Sequence, residues 1–117
     1  GVDVVYDPVG GDFSEPAVRS MGWKGRYLVI GFASGPIPSI PLNLTLLKGC
    51  SIVGVFWGRF TMEENEVHLA NIDTLWQWFD EGKIKPVITD VFPIEEYEGA
   101  YAAMMERRAK GKVILTF

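Results

Sequence analysis

Apolar residues in this chain fall into short runs cut by glycine and proline, separated by stretches with a step of three or four. Val2-Asp3-Val4-Val5-Tyr6-Asp7 is β-rich and nearly continuous in apolar character, and Pro8-Val9-Gly10-Gly11 stops it. Such runs bounded by turn residues predict strands buried on both faces. Phe13 to Met21 reads as a short helix, with Ser14 as N-cap, Pro16 in the first turn and Gly22 as the stop. Phe13 and Val18 are spaced as a hydrophobic staple. Gly25-Arg26 leads into a second strand, Tyr27 to Ile30, followed by the small-residue loop Gly31-Phe32-Ala33-Ser34-Gly35. Leu42 to Lys48 reads as a helix ended by Gly49, and Ser51 to Trp57 as a third strand closed by Gly58. Thr61 with Glu64 has the capping-box form and opens a helix to about Glu81, stopped by Gly82. Leu69, Ile72, Trp76 and Phe79 give it one apolar face. Lys85 to Phe92 is a fourth strand, with Pro86 near its start and Pro93 at its end. Glu95 to Lys110 is a helix with Glu95, Glu96 and Glu98 first and Arg107, Arg108 and Lys110 last, which suits the helix dipole. Tyr97, Tyr101, Met104 and Arg108 share one of its faces. Gly111 ends it, and Lys112 to Phe117 is a final strand.

The resulting order, β-α-β-α-β-α-β-α-β, is the pattern of an α/β fold with mostly parallel strands. At 117 residues it fits one domain. The longest uncharged stretch, Tyr27 to Leu47, contains Pro36, Pro38 and Pro41, which would break a membrane helix. Fifteen acidic against eleven basic residues give a net charge of −4, which argues against general affinity for nucleic acid or an anionic membrane. The chain opens on a strand, with no basic leader and no initiating Met, so a cytoplasmic protein and a piece of a longer polypeptide are the expectations.

One cysteine, Cys50, excludes an intrachain disulfide, and together with one histidine, His68, it cannot build a usual structural zinc site. Cys50 reads as a small buried hydrophobe and His68 as a helix-surface residue. Asp3 and Asp7 share strand parity, and Asp7 stands where a turn-starting Asp is common. Glu63, Glu64 and Glu66 read as a solvated helix start, and Trp76 and Trp78 as packing residues. No catalytic triad, metal cluster or carboxylate pair stands out. In open parallel sheets, ligands bind beyond the carboxyl ends of the strands. Three such ends combine small with apolar or aromatic residues: Asp7 to Gly11, Ile30 to Gly35, and Val55 to Gly58. Small residues allow close backbone approach to a flat ligand such as a nicotinamide ring, and aromatic ones wall it. The plainer reading is that these glycines only make turns. There is no G-x-G-x-x-G and no G-x-x-x-x-G-K-[ST], so a dinucleotide site here would be half a site.

These segments, taken in order, resemble the medium-chain dehydrogenase/reductase superfamily. Gly1 to Gly11 is similar to its fourth Rossmann strand and turn, and Gly25 to Gly35 to its fifth strand and loop in the style of the zinc-independent quinone oxidoreductases. Leu42 to Gly49 and Ser51 to Gly58 resemble the short helix and sixth strand. Gly82-Lys83-Ile84-Lys85-Pro86 and Gly111 to Phe117 resemble the C-terminal return.

The resemblance implies the C-terminal third of an enzyme. Residues 1–82 would be the second half of a Rossmann-like parallel sheet and 83–117 the return segment. It also implies an NAD(P)H-dependent oxidoreductase acting on a quinone or enone-like small molecule, with NADPH as cofactor. By the same resemblance, cofactor contacts fall on Pro8 and Val9, on Ile30, Gly31 and Phe32, and on the backbone of Val55, Phe56 and Trp57, with Lys112 near the pyrophosphate. Trp57 is bulkier than that pattern leads one to expect. A homodimer through the strand 51–57 is implied as well. The alternatives are a zinc-dependent alcohol dehydrogenase and a stand-alone oligomerisation or interaction domain.

Overall fold

The computed structural model describes residues 1–117, which form two compact units, Gly1–Asn65 and Glu66–Phe117. In the first, β1 (Val2–Asp7), β2 (Met21–Val29) and β3 (Ser51–Gly54) make a parallel sheet in that order. The crossovers carry α1 (Ser14–Ser20) and α2 (Asn43–Lys48). The two-residue strand period decides what the sheet buries. Val5 pairs with Tyr27 and Asp7 with Val29, so the odd positions of both strands share a face. On it, Tyr27 joins Val18 of α1, Met21 and Leu44 of α2 in a small core, with Val5, Ala17, Val29, Ile40 and Cys50 against it. Val2, Val4 and Tyr6, of opposite parity, are exposed.

Regular pairing of β2 begins at Arg26, close to the expected strand start. Upstream, Met21 pairs with Val2 and the chain bulges through Gly22–Gly25. Lys24 takes φ 60° there, and its N–H donates to Gly49 O at 2.9 Å. Gly22 is therefore no helix stop; α1 ends at Ser20 and runs straight into the strand. Ser14 is no N-cap either. It lies inside the helix, after Phe13, and its hydroxyl donates to Asp7.

β3 is shorter than the run 51–57. The Val55 N–H still reaches Val29 O at 3.0 Å, but the next N–H groups of β2's extension, on Ile30 and Gly31, turn to Asp7 O. With its partner strand ended, the chain bends at Phe56 into α3 (Trp57–Glu63). The single helix expected from Thr61 is two, α3 and α4 (Asn65–Asp80), broken at Glu64 with φ −121°. Thr61 lies inside α3, where its hydroxyl donates to Gly58 O, so it caps nothing.

In the second unit, β4 (Ile88–Pro93) and β5 (Lys112–Thr116) are parallel and joined through α5 (Tyr97–Met105), whose Ala100 and Ala103 are buried. β4 starts beyond Pro86, later than the apolar run suggests. Ile72, Leu75, Trp76 and Phe79 of α4, with Ile84, Pro86 and Ile88, line an apolar groove of about 490 Å³. Trp76 and Phe79 meet edge to face at 6.0 Å.

Three helices end in the same closure. After α2, Cys50 N–H donates to Thr45 O; after α4, Lys83 N–H donates to Trp78 O; after α5, Arg108 N–H donates to Ala103 O. Each six-to-one bond needs a left-handed residue just before the donor. Gly49 (φ 57°) and Gly82 (φ 70°) supply it, and at the third end it is Arg107, at φ 56°. The closure therefore ends α5 at Met105. Arg107, Arg108 and Lys110 lie past the helix rather than in its last turn.

Candidate functional site

The site is built from the carboxyl ends of the three parallel strands. Asp7, the last residue of β1, faces the helices by strand parity and is only 9% exposed. Its Oδ1 accepts the N–H groups of Val9 at 2.8 Å and Gly10 at 2.9 Å, closing a turn over Pro8. Its Oδ2 accepts the Ser14 hydroxyl at 3.1 Å and the Tyr27 hydroxyl. Burial alone would raise the Asp7 pKa, but the bonds from Tyr27, Gly10, Val9 and Ser14 outweigh it and hold the carboxyl below its ordinary value. Tyr27 is pushed above its ordinary value, first by burial and then by its bond to the Asp7 carboxylate.

The β1 turn is stitched to the loop after β2. Ala33 N–H donates to Pro8 O at 3.1 Å, and both the N–H and the hydroxyl of Ser34 reach Val9 O, at 3.0 and 2.8 Å. Gly10 makes this approach possible. Its φ is 68°, and a Cβ there would stand 2.8 Å from the Phe32 ring.

Beyond these turns, Val29, Ile30, Phe32, Gly54, Val55 and Phe56 line an apolar hollow of about 360 Å³ that opens to solvent. Of the residues singled out in the sequence, Ile30, Phe32, Val55 and Phe56 line it together, and Gly31 lies between two of them. Pro8 and Val9 join this group through their carbonyl bonds to the 33–34 loop. Trp57 is the first residue of α3, largely exposed, and not part of the lining. Lys112 belongs to the second unit, where it opens β5 and its N–H donates to Val87 O at 2.7 Å.

Tyr27 and Ser14 are not singled out by the sequence as partners of Asp7. Strand parity carries half of that signal, since residues 5, 7, 27 and 29 fall on one face once the two strands pair in parallel.

A family model described as zinc-binding dehydrogenase matches residues 1–115. The chain belongs to that family. The chain is 42% identical over 116 residues to quinone oxidoreductase-like protein 2 of Bos taurus, covering 99% of this chain and 33% of that protein. It is 30% identical over 117 residues to acryloyl-coenzyme A reductase of Metallosphaera sedula, covering 98% of this chain and 32% of that one. Among solved structures it resembles the quinone oxidoreductase of Thermus thermophilus, a protein also crystallised with NADPH. The TM-score is 0.79 at 29% identity, over 100% of this chain and 37% of that one. The chain thus spans about a third of the length of the curated relatives it matches. These likenesses bear out the α/β, Rossmann-like reading and the quinone-reductase resemblance.

The family's description names zinc, and the donor set in this chain does not fit it. Nowhere do three His, Cys, Asp or Glu side chains come together as ligands. A nicotinamide ring, flat and largely apolar, does suit the hollow, whose lining offers apolar walls and close backbone. No helix is long and apolar enough to cross a membrane.

Proposed function

We propose that this chain is the C-terminal part of the cofactor domain of an NAD(P)H-dependent oxidoreductase of the quinone-reductase type, and that its strand ends hold the nicotinamide half of NADPH. One observation carries the reading: the apolar hollow sits at the carboxyl ends of β2 and β3, where parallel sheets bind their ligands. The 42% identity to a quinone oxidoreductase-like protein and the likeness to an NADPH-binding quinone oxidoreductase support it.

In this reading Pro8 and Val9 form one wall, Ile30, Gly31 and Phe32 a second, and Val55 and Phe56 a third. Bound NADPH supplies the hydride that reduces a quinone or enone-like substrate. The work of this chain is to orient the ring and to exclude water with Phe32 and Phe56. Residues 1–82 act as the cofactor half-domain, 83–117 as the return segment, and the whole works in the cytoplasm. The test is NADPH oxidation with a simple quinone by a longer polypeptide containing this chain. Quinone-dependent turnover without bound metal supports the reading. Turnover that requires stoichiometric zinc replaces it with the alcohol dehydrogenase alternative.

A homodimer through the strand 51–57 belongs to the same proposal. β3 ends the sheet order, its residues are exposed, and the run carries neither charge nor proline to blunt the edge. Such an edge pairs with its own copy across a two-fold axis. Light scattering at low micromolar concentration tests it. A dimer that Val53→Pro converts to monomer is expected; a clean monomer of the parent chain contradicts it.

A further inference from the structure

The turn after β1 has an unusual balance of backbone groups. Pro8 has no N–H. The N–H groups of Val9 and Gly10 are taken by Asp7 Oδ1. Pro8 O is taken by Ala33, and Val9 O by Ser34 twice over. All the backbone polar groups of Pro8 and Val9 thus point into the protein, and the turn keeps none of them for a ligand. A phosphate cradle needs the reverse, N–H groups aimed outward at the anion. What remains on the outer side is the Pro8 ring and the Val9 side chain, which is 38% exposed.

The device that turns the N–H groups inward is the Asp7 carboxylate. One of its oxygens binds the turn; the other is held by Tyr27, 2% exposed, and by Ser14, fully buried. With both oxygens engaged, the carboxylate has no room to rotate away from the turn. Gly10 completes the arrangement, because its positive φ brings the turn against Phe32.

We propose that Asp7 and Tyr27 are positioning residues that hold the Pro8–Val9–Gly10 turn as an apolar wall for a flat, uncharged ring and close it to phosphate. The proposal rests on the cofactor reading above and adds which part of the ligand this turn meets. It meets the ring end; the phosphates lie elsewhere.

The test uses the 117-residue chain labelled with ¹⁵N and compares the parent with Asp7→Ala, Asp7→Asn, Tyr27→Phe and the core variant Val18→Ala. NADPH affinity and the amide exchange of Val9 and Gly10 are measured for each. Inorganic pyrophosphate is titrated in parallel. In the parent, the Val9 and Gly10 amides are expected to exchange slowly, and pyrophosphate to leave their signals in place. Asp7→Ala should speed that exchange at least tenfold and weaken NADPH binding about tenfold. Asp7→Asn keeps an acceptor oxygen for the turn and should return both to within threefold of the parent. Tyr27→Phe, which removes only the hydroxyl and leaves the buried ring in place, should weaken NADPH binding about threefold. Val18→Ala lowers stability and should leave affinity within twofold. The proposal is overturned if Asp7→Ala or Tyr27→Phe binds NADPH as the parent does, if Val18→Ala loses as much affinity, or if pyrophosphate shifts the Val9 and Gly10 amides. A parent chain with no NADPH response at millimolar concentration fails differently. It removes the cofactor reading itself, and the positioning role falls with it.

Discussion

Tyr27→Phe removes one oxygen from the most buried polar cluster of the molecule and leaves the ring in place. The lost bond is a hydroxyl donated to a carboxylate, both residues being almost fully inaccessible, at 2% and 9% exposure. A hydrogen bond to a charged partner contributes about 1.5–3 kcal/mol, and no water replaces the hydroxyl in so closed a site. Three donors stay on Asp7, from Val9, Gly10 and Ser14, so the cost settles near the middle, about 2 kcal/mol. In urea, with a slope of about 2 kcal/mol per molar, the midpoint should fall by about 1 M. The loss should also depend on pH. The folded Asp7 pKa is depressed, so its stabilisation is full above the ordinary aspartate value of about 4 and is lost as pH falls through the lowered folded value. Tyr27 is raised, so its contribution is full below about pH 10 and is lost as pH rises through its folded value. The gap between parent and variant should therefore be widest from about pH 5 to 9 and narrow at both ends. Urea unfolding at pH 7 and pH 3 measures it. A variant within about 0.5 kcal/mol of the parent at pH 7, on the order of ordinary surface changes, refutes the account. So does a gap that does not narrow in acid.

Three further outcomes follow from the same geometry. Arg107→Gly should stabilise the chain by about 1 kcal/mol in the same urea assay, because glycine takes the left-handed position without a Cβ penalty; a destabilised variant would count against that helix closure. Gly49→Ala should cost about 1–2 kcal/mol, since alanine is strained in the left-handed conformation and the exposed Trp23 ring must swing aside to admit its Cβ; a thermal midpoint equal to the parent's would contradict that helix closure. The 117-residue chain alone should oxidise NADPH with a simple quinone far below the ordinary enzyme scale of about 10 per second; turnover near that scale would mean the half-site suffices.

The strands and their turns are legible in the sequence because each is a short apolar run closed by glycine or proline, and that pattern has few other meanings. The strand-end residues Ile30, Phe32, Val55 and Phe56 are legible for the same reason, since parallel strands in order bring their carboxyl ends to one edge. The helix limits are harder to read. Nothing local distinguishes Thr61 as a cap from Thr61 inside a helix; the difference is that β3 loses its partner at Val29 and the chain must turn early. Arg107 is invisible as a helix end because its left-handed backbone is held by its own N–H bond to Met104 O and by that of Arg108 to Ala103 O, where glycine is the usual sign. Asp7 reads as a turn starter, which it is, but its tie to Tyr27 needs the pairing register. Trp57 is placed by analogy with a strand, and the bend at Phe56 moves it to a helix start.

We propose that the three strand ends form half of an NADPH site, and a ¹⁵N amide map of the chain under NADPH titration decides it. Shifts should concentrate at Val9 and Gly10, at Ile30 to Phe32 and at Val55 to Trp57. They should saturate well above micromolar concentration, because with only half the contacts present the free energy falls short of the ~8 kcal/mol that micromolar affinity requires. Shifts confined to the apolar groove of Ile72, Trp76 and Phe79, with the strand-end amides unmoved, would contradict it.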